Sequence, residues 1–445
     1  MDRRTVERVK SLNGEISPPA DKSISHRAVM FASLAEGTSR VRNFLRAADP
    51  ISTINAFRLL GIDIEEVWGG TGGLEDELII HGNGLYGLKE PFDVINCDNS
   101  GTTIRLISGI LAGSPFFSVL TGDDSLKQRP MGRVINPLKE MGADISGRGG
   151  DKYPPIAIKG KVLKPVQYRM PVASAQVKSC LILAGLYADG KTVITEPYKS
   201  RDHTERMLRS MDAAIKVEDL TVTIEGGSRL RSCDTTVPAD FSSAAFFIAA
   251  ALIVPDSEIL IRGVGINPTR TGILEVIARM GADVRLSNER EVSGEPVADL
   301  YCRTAGGLKG TTIGKEMVPS IIDEFPILCV LATQAEGITE IRGAEELRVK
   351  ESDRIRAMAT ELRKFGVELE EHPDGISIRG RSPLRGCETE SYRDHRIAMS
   401  LSVAGLIADG TTVINNASCA DVSFPGFYEC LKNLAKGSGL KGNDG

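Results

Sequence analysis

The sequence predicts an α/β (α+β) protein of two similar domains, each made of three repeats whose helices pack inward behind sheets. One observation is a sixfold pattern: a polar head, an apolar run of helix length, a small-residue stop and then a strand. The other is that four stops are nearly the same tripeptide, namely Ala35-Glu36-Gly37, Ala188-Asp189-Gly190, Ala335-Glu336-Gly337 and Ala408-Asp409-Gly410. Six units of roughly 65 to 85 residues therefore fill the chain.

A second helix follows in each of the first five units and ends with a signature of its own. These endings are Leu60-Gly61-Ile62-Asp63, Met141-Gly142-Ala143-Asp144, Met211-Asp212-Ala213-Ala214, Met280-Gly281-Ala282-Asp283 and Phe365-Gly366-Val367-Glu368. Two of the first-helix stops are degenerate and lie near Ala112-Gly113-Ser114 and Val254-Pro255-Asp256. The predicted order within a unit is therefore helix, strand, helix, strand, strand.

The first unit illustrates the predicted elements in order. They are a buried helix over 23–35, a strand over 38–44, a second helix over 49–60, and a strand pair over 62–67 and 78–81. We expect Gly37 to end the first helix and Asp49-Pro50 to open the second, because these residue types favour those positions. Such a unit does not bury its apolar helices alone, so three units are expected to pack together in each domain.

Two similar segments mark the expected domain crossings, Pro18-Pro19-Ala20-Asp21 and Val237-Pro238-Ala239-Asp240. Proline favours stiff, extended chain at such places. Domain B then holds repeats one to three at 21–239, and domain A holds residues 1–20 with repeats four to six at 240–445. The sixth unit lacks its final strand pair, so residues 1–20 are expected to complete that domain. The Gly-rich tail Lys436–Gly445 is expected to be disordered.

Composition excludes several functional classes. With 41% hydrophobic and 25% charged residues the chain is typical of soluble proteins, and its longest apolar run, Ala244–Val254, is too short for a bilayer. We expect no secretion signal, and eight cysteines without a Cys-x-x-Cys pair indicate reduced thiols in a cytoplasm. This spacing and only five histidines predict no metal. A net charge of −5 excludes a general nucleic-acid binder, so an anionic ligand requires a local basic cluster.

Each polar head stands where a helix begins, and the unpaired N–H groups there favour an anion. The heads are Lys22-Ser23, Asn99-Ser100-Gly101-Thr102-Thr103, Ser174-Ala175-Gln176, Asp240-Phe241-Ser242-Ser243, Asp323-Glu324 and Asp394-His395-Arg396. For Ser100, Ser242 and Ser243, N-capping is the simpler interpretation. Capping does not explain Lys22, Arg27 or Arg396, because a cation at this end opposes the helix dipole. Repeated violation of a local rule indicates a functional site.

The second helices also begin with basic residues, in the segments Lys127–Arg133, Arg201–Glu205 and Arg348–Arg354. Lys350 and Arg354 stand four residues apart, which predicts that they share a helix face. For Glu351 the alternative to a functional role is that of an exposed salt-bridge partner. His26, His203 and His395 each neighbour an arginine or lie close to one, and orienting it is the simpler role than proton transfer. Gly310–Lys315 is not a phosphate loop, because three residues separate its glycines and Glu316 follows the lysine.

Taken together, the motifs resemble one family, the 5-enolpyruvylshikimate-3-phosphate (EPSP) synthases, over essentially the whole chain. They occur in family order as Asp21–Arg27, Asn99–Thr102, Arg129–Met131, Ser174–Gln176, Arg348–Arg354 and Asp394–Arg396. The resemblance implies two domains of three βαβαββ units that close over the substrates. It also implies transfer of the enolpyruvyl group of phosphoenolpyruvate to the 5-hydroxyl of shikimate 3-phosphate, in aromatic amino-acid biosynthesis.

The resemblance assigns roles position by position. Positions matching shikimate 3-phosphate contacts are Lys22, Ser23, Arg27, Ser174, Ala175, Gln176, Arg201, Asp323 and Lys350. Positions matching phosphoenolpyruvate contacts are Lys22, Gly101, Arg129, Gln176, Arg354 and Arg396. Asp323 resembles the family's base, Glu351 its proton-handling carboxylate, and Lys22 shares the proton work. We expect small-molecule substrates only, with no metal, cofactor, nucleic acid or membrane partner, and a cytoplasmic monomer.

This chemistry agrees with the pattern of residues. Two multiply anionic substrates require a basic set, and C3 of phosphoenolpyruvate must gain a proton while a hydroxyl attacks C2. An acid and a base are therefore needed on opposite sides of the reacting atoms. Phosphate then leaves a tetrahedral intermediate, which fixed positive groups stabilise. No covalent enzyme group is required.

Some motifs resemble the subgroup often called class II, among them Arg201–Glu205 and Asn267–Arg270. The chain departs from its relatives at Ala20, where a glycine is typical, and at Val422, where others have a lysine near phosphoenolpyruvate. Gly101 stands where some glyphosate-insensitive members carry alanine.

Two alternatives remain at this point. One is the sister transferase that adds enolpyruvate to a UDP-amino sugar, although it typically uses a loop cysteine and the region from Ser114 to Arg133 has none. The other is a non-catalytic repeat scaffold for phosphorylated ligands, although both carboxylates, Asp323 and Glu351, are present.

Overall fold

The computed structural model describes residues 2–68 and 76–435, so the tail predicted to be disordered lies outside the described residues. The helices are α1 (Lys22–Leu34), α2 (Ala48–Leu59), α3 (Gly101–Gly113), α4 (Gly132–Glu140), α5 (Arg148–Asp151), α6 (Ala175–Gly185), α7 (His203–Ser210), α8 (Phe241–Ile253), α9 (Gly272–Arg279), α10 (Val318–Ile321), α11 (Phe325–Gln334), α12 (Arg354–Lys364), α13 (His395–Gly405) and α14 (Phe427–Leu434). Short 3-10 segments are Leu126–Gln128, Glu345–Val349 and Ala417–Val422.

The strands follow the predicted repeat along the chain. They are β1 (Arg3–Glu7), β2 (Asn13–Ile16), β3 (Glu36–Arg42), β4 (Asp63–Val67), β5 (Glu77–Asn83), β6 (Ile95–Asn96), β7 (Phe117–Thr121), β8 (Asp144–Gly147), β9 (Tyr153–Lys159), β10 (Gln167–Arg169), β11 (Lys191–Thr195), β12 (Ile215–Glu218), β13 (Thr221–Glu225), β14 (Thr235–Thr236), β15 (Glu258–Gly265), β16 (Val284–Val292), β17 (Glu295–Arg303), β18 (Leu308–Lys309), β19 (Thr312–Ile313), β20 (Ala335–Glu336), β21 (Ile338–Ile341), β22 (Leu369–His372), β23 (Gly375–Arg379), β24 (Glu388–Glu390) and β25 (Thr411–Asn415).

Each of the first five repeats forms one four-stranded sheet, and the sixth forms a three-stranded one. The orders are β14-β3-β5-β4, β6-β7-β9-β8, β10-β11-β13-β12, β2-β15-β17-β16, β19-β21-β23-β22 and β24-β25-β1. In each of these six sheets a short first strand pairs in parallel with its neighbour, as β6 does with β7, and the next pairing is antiparallel. β18 and β20 form a separate parallel pair. The βαβαββ repeat is confirmed.

The N-terminal segment completes two repeats. β1 pairs antiparallel with β25 of the sixth repeat, with Arg3 opposite Asn415. β2 pairs in parallel with β15 and supplies the first strand of the fourth repeat. In the same way β14 supplies the first strand of repeat one. The sequence did not indicate these two exchanges, because strands of two to four residues carry almost no periodic signal.

Contacts divide the chain into two compact units, which we call unit A and unit B. Unit A comprises residues 1–19, 239–290 and 296–445, and unit B comprises residues 20–238 and 291–295. The division falls one residue before each crossing expected from the sequence. The segment 291–295 belongs to unit B, and nothing in the sequence indicated this.

Three apolar helices form the core of each unit. In unit B, α3 packs against α1 and α6, and in unit A, α11 packs against α8 and α13. Nearly every residue of these helices is buried, which the long apolar runs predict. Each buried large apolar side chain contributes about 1.5–3 kcal/mol to stability, so the burial of these helices stabilises each unit.

One predicted helix end is wrong. Helix α1 ends at Leu34 with an extended Ala35, and Gly37 lies within β3 at a φ of 105°. Gly37 therefore relieves backbone strain inside the strand and does not stop the helix. Among the described residues, no helix is long and apolar enough to cross a membrane.

Candidate active site

The polar heads cap the inner helices, but not always with the residue predicted. Ser100 Oγ accepts a hydrogen bond from the Thr103 N–H at 3.1 Å, so its capping role is confirmed. Capping by Ser242 and Ser243 is wrong, because Asp240 is the N-cap of α8 and accepts from the Ser242 N–H at 3.2 Å. The Ser242 hydroxyl instead donates to Glu324.

In unit B, Arg27 is buried and tightly held. Its Nε donates to Thr204 Oγ1 at 2.8 Å and its Nη2 donates to Ser179 Oγ at 2.9 Å. Its Nη1 donates to the carbonyl oxygen of Ser23 at 2.9 Å. The guanidinium is thus fixed by α1, α6 and α7, and only 3% of Arg27 is exposed.

Lys22 lies one turn before Arg27 in α1. Its Nζ donates to Asp49 Oδ2 at 3.1 Å, and both side chains are largely buried. Asp49 is in the first turn of α2, where a carboxylate agrees with the helix dipole. This pair gives Lys22 a fixed position at the head of α1.

A second group of unit B surrounds Gly101 at the start of α3. A Cβ atom built on Gly101 would lie 3.1 Å from Arg105 Nη1 and 3.2 Å from Arg129 Nη1. Arg105 Nη1 donates to Gln176 Oε1 at 2.5 Å, and Gln176 Nε2 donates to Thr102 Oγ1 at 3.0 Å. The structure therefore brings Gly101, Arg129 and Gln176 together.

Arg105 was missed by the sequence analysis. It is 7% exposed and lies inside the apolar run of α3, four residues after Gly101. A charged residue in an otherwise apolar helix was the available signal. The remaining predicted residues of unit B stand at helix heads: Ser174 caps α6, Ala175 begins it, and Arg201 lies two residues before α7.

In unit A, Arg354 is the centre of a group of carboxylates. Its Nη1 lies 3.2 Å from Asp323 Oδ1, its Nη2 2.7 Å from Glu351 Oε2 and its Nε 2.8 Å from Asp394 Oδ2. Burial alone would lower the pKa of this guanidinium, but the three carboxylates raise it above its ordinary value. Arg354 is therefore a fixed positive charge.

Arg396 joins the same group. Its Nη2 lies 3.5 Å from Asp323 Oδ2, and its Nη1 donates to the Asp323 carbonyl oxygen at 3.2 Å. Asp394 caps α13 by accepting from the Arg396 N–H at 3.0 Å. The structure thus brings Asp323, Glu351, Arg354 and Arg396 together, and adds Asp394, which sequence analysis noted only as part of a head.

The predicted shared helix face of Lys350 and Arg354 is wrong. A 3-10 segment ends at Val349, and α12 begins only at Arg354, where Asp353 caps it by accepting from the Arg356 N–H at 3.0 Å. Lys350 Nζ lies 4.0 Å from Glu346 Oε2. Burial lowers the pKa of Lys350, and Glu346 opposes this shift.

The histidines do not share one role. His26 is buried and its Nδ1 lies 2.7 Å from Thr53 Oγ1, so the expectation that it orients an arginine is wrong. Burial, assisted by Lys22 and Arg27, holds the pKa of His26 well below its ordinary value of 6.5. His203 Nδ1 lies 2.7 Å from Glu295 Oε1.

Each group combines fixed cations with side chains able to bind or transfer a proton, which suits reactions of phosphorylated substrates. The match to the family model described as EPSP synthase (3-phosphoshikimate 1-carboxyvinyltransferase) extends over residues 6–431. The chain belongs to the EPSP synthase family. It is therefore a carboxyvinyltransferase of aromatic amino-acid biosynthesis, acting on shikimate 3-phosphate and phosphoenolpyruvate, and neither alternative left by the sequence is favoured.

Relatives agree with the family match. The chain is 56% identical over 434 residues to the 3-phosphoshikimate 1-carboxyvinyltransferase of Thermodesulfovibrio yellowstonii, covering 97% of the chain and 100% of the relative. It is 52% identical to the protein of the same name from Geobacter sp. strain M21, covering 98% of the chain and 100% of that relative.

Solved structures show the same fold. An EPSP synthase structure from Acinetobacter baumannii matches with a TM-score of 0.85 and 45% identity, covering 99% of this chain and 98% of that one. The enolpyruvyl transferase NikO from Streptomyces tendae matches with a TM-score of 0.78 at 18% identity, covering 97% of each chain, which shows likeness of fold alone.

Proposed function

We propose that the groups around Arg27, Gly101 and Arg354 carry out the enolpyruvyl transfer of the family in this chain. The single observation that supports this assignment most is the group in unit A, where two guanidiniums lie against the carboxylate of Asp323. A carboxylate held among fixed cations suits a reaction that moves a proton beside a phosphate. Fixed cations of this kind stabilise developing negative charge without reorganisation.

Shikimate 3-phosphate is assigned, in this proposal, to the positions that match the family's contacts. They are Lys22, Ser23, Arg27, Ser174, Ala175, Gln176 and Arg201 of unit B, with Asp323 and Lys350 of unit A. Arg27 supports this role because its side chain is already fixed by Thr204 and Ser179, so little rotamer entropy is lost on binding.

Phosphoenolpyruvate is bound by Lys22, Gly101, Arg129, Gln176, Arg354 and Arg396. A Cβ atom at Gly101 would lie 3.1 Å from Arg105 Nη1 and 3.2 Å from Arg129 Nη1, so the glycine keeps a side chain away from both guanidiniums. Arginine suits this position because its planar fork matches the oxygens of a carboxylate or a phosphate.

Proton transfer is assigned to three residues. Asp323 removes the proton of the attacking hydroxyl, while Glu351 and Lys22 handle the proton that C3 of phosphoenolpyruvate gains. Arg354 contacts both carboxylates, with 3.2 Å to Asp323 and 2.7 Å to Glu351, and so holds acid and base in a fixed relation. No covalent intermediate with the enzyme is needed.

Release of phosphate from phosphoenolpyruvate on addition of shikimate 3-phosphate tests the proposal. We expect turnover only with both substrates, and formation of one enolpyruvyl product per phosphate released. A UDP-amino sugar offered as the acceptor provides the comparison. Turnover with that sugar, and none with shikimate 3-phosphate, would contradict the proposed reaction.

We further propose that the chain acts as a monomer in the cytoplasm. The support for the cytoplasm is the set of eight free cysteines, four of them buried, which agrees with a reducing compartment. Light scattering from a size-exclusion column tests the monomer, and a mass near twice 47.9 kDa would contradict it.

A further inference from the structure

We propose that Lys178 is a positioning residue that aligns the shikimate 3-phosphate-binding side chains of unit B without touching the substrate. The inference rests on the proposed function, because it takes Arg27, Arg201, Ser174 and Gln176 as substrate contacts. It concerns a residue that belongs to neither list of predicted binding positions.

Lys178 is entirely buried within α6. Its side chain is 0% exposed, and its Nζ lies 2.8 Å from Glu196 Oε1 and 2.7 Å from Glu205 Oε1. The same ammonium donates to the Ser200 carbonyl oxygen at 3.3 Å. One buried cation is thus surrounded by two buried carboxylates and a carbonyl oxygen.

Lys178 and its partners lie on three segments, namely α6, the loop after β11 and α7, and the first two carry proposed substrate contacts. Lys178 stands four residues after Ser174, the cap of α6, and two after Gln176. Ser200 immediately precedes Arg201, and its N–H donates to Glu196 Oε2 at 3.1 Å. The loop bearing Arg201 is therefore tied to the ammonium through Glu196 and directly through a carbonyl oxygen.

The third segment is α7, and it connects the ammonium to Arg27. Glu205 follows Thr204, whose Oγ1 accepts from Arg27 Nε at 2.8 Å. Ser179 follows Lys178, and its Oγ accepts from Arg27 Nη2 at 2.9 Å. The two hydroxyl oxygens lie 2.7 Å apart. Both residues that hold Arg27 are thus chain neighbours of members of the buried ion group.

The charges of Lys178, Glu196 and Glu205 explain how this buried group fixes the positions of the segments that carry it. Two buried carboxylates repel each other, and the ammonium between them sets the separation of α6, α7 and the loop after β11. Buried ion pairs are often no more stabilising than apolar side chains of equal volume. Their particular contribution here is to fix the relative positions of α6 and the loop after β11, which carry proposed contacts, and of α7, which holds Arg27.

The experiment compares four variants, with Arg201→Gln as a fifth that tests the binding assignment itself. Lys178→Met removes the ammonium, and Lys178→Met/Glu205→Leu removes the ammonium together with one carboxylate. Glu205→Gln keeps Lys178 paired with Glu196, so it tests the idea even if Lys178→Met does not fold. Ile224→Ala, at a buried residue of strand β13 in the same unit, lowers stability without removing a member of the ion group.

Three quantities are measured for each: the Kd for shikimate 3-phosphate by calorimetry, kcat at saturating substrates, and the denaturation midpoint. We expect Lys178→Met to raise Kd by about tenfold or more, with kcat within about threefold. Glu205→Gln should raise Kd in the same direction. The double variant should recover stability but not affinity, whereas Ile224→Ala should lower stability with Kd unchanged.

An unchanged Kd in both Lys178→Met and Glu205→Gln would overturn the inference. A rise in Kd that merely follows the loss of stability, and appears equally in Ile224→Ala, would also overturn it. Arg201→Gln separates this result from failure of the proposed function. If Arg201→Gln raises Kd and the ion-group variants do not, the result supports substrate binding by Arg201 and contradicts the positioning role of Lys178.

Discussion

Arg354 Nη1 lies 3.2 Å from Asp323 Oδ1, so the proposed base is paired with a guanidinium that is also proposed to bind phosphoenolpyruvate. Glu351 and Asp394 contact the other nitrogens of this guanidinium. Three carboxylates around one arginine leave the group with a net negative charge. The charges of Arg396 and Lys350 together balance that excess. Any anion that Arg354 binds must therefore share it with Asp323, which links substrate binding to the position of the base.

Replacing Asp323 is expected to separate catalysis from binding. Asp323→Ala removes the base but leaves Arg354 with two carboxylates, so the group should remain folded. Loss of a general base commonly lowers the rate by a factor of about 10² to 10⁴. We expect kcat to fall within this range and the Kd for shikimate 3-phosphate to change less than about tenfold. Asp374→Asn, which weakens the pairing with Arg342 in the same unit, is the control. Near-normal kcat in Asp323→Ala would remove Asp323 from the mechanism.

Arg354→Lys tests whether the geometry of the guanidinium matters beyond its charge. A lysine presents one compact charge and does not reproduce three directed contacts to three carboxylates. Breaking a buried ion pair costs about 3–5 kcal/mol, and the retained charge should reduce this loss to about 2 kcal/mol. Denaturant unfolding measures the change. Arg262→Lys is the matched control, because Arg262 also bridges two carboxylates in unit A but is 44% exposed. Equal losses in the two variants would contradict the prediction.

The sequence predicted the repeat because apolar runs and small-residue stops are local signals. It did not predict that β2 and β14 exchange between repeats, since strands this short carry little pattern. The prediction that Lys350 and Arg354 share a helix face was wrong because α12 begins only after its N-cap, Asp353. The motifs singled out Arg354 and Gly101 as candidate site residues.

Other members of the groups became visible only in three dimensions. Arg105 in α3 donates to Gln176 in α6, and Lys178 in α6 donates to Glu196 just after β11. Charged residues inside apolar runs were the signals for both, and each has its partners roughly 20 to 70 positions away along the chain. Spacing along the chain does not report contacts of this kind, because they depend on how helices pack.

His26 predicts how stability depends on pH. Burial holds the pKa of His26 below 6.5, so the unfolded chain binds this proton more readily than the folded protein does. As pH falls below about 6.5, stability should decrease by up to about 1.4 kcal/mol per pH unit from this group. His26→Asn removes that contribution. We expect the free energy of unfolding of the variant to fall less than that of the parent between pH 7 and pH 5.5.

Denaturant unfolding at several pH values measures the two slopes. His81→Asn removes a more exposed imidazole from unit B and serves as the comparison. Parallel pH profiles for the parent and His26→Asn would show that His26 titrates alike in the folded and unfolded states.

Gly101 predicts discrimination between two anions. Glyphosate competes with phosphoenolpyruvate in many members of the family and is the longer molecule. A methyl at position 101 would lie 3.1 Å from Arg105 Nη1 and 3.2 Å from Arg129 Nη1, so the ends of both arginine side chains must shift slightly. The methyl also takes space beside those guanidiniums, which the longer anion needs more than the shorter one.

We therefore expect Gly101→Ala to raise the inhibition constant of glyphosate by a larger factor than the KM for phosphoenolpyruvate. Rejection of one or two atoms by a shaped pocket is worth about 1–3 kcal/mol, or about 10- to 200-fold. Parallel inhibition and saturation curves on both proteins measure the two factors. Gly142→Ala, at a glycine with open space around its Cβ position but a φ of 87°, controls for a general loss of stability in unit B. If both constants rise by the same factor in Gly101→Ala, the methyl acts on the shared guanidiniums and not on the length of the ligand.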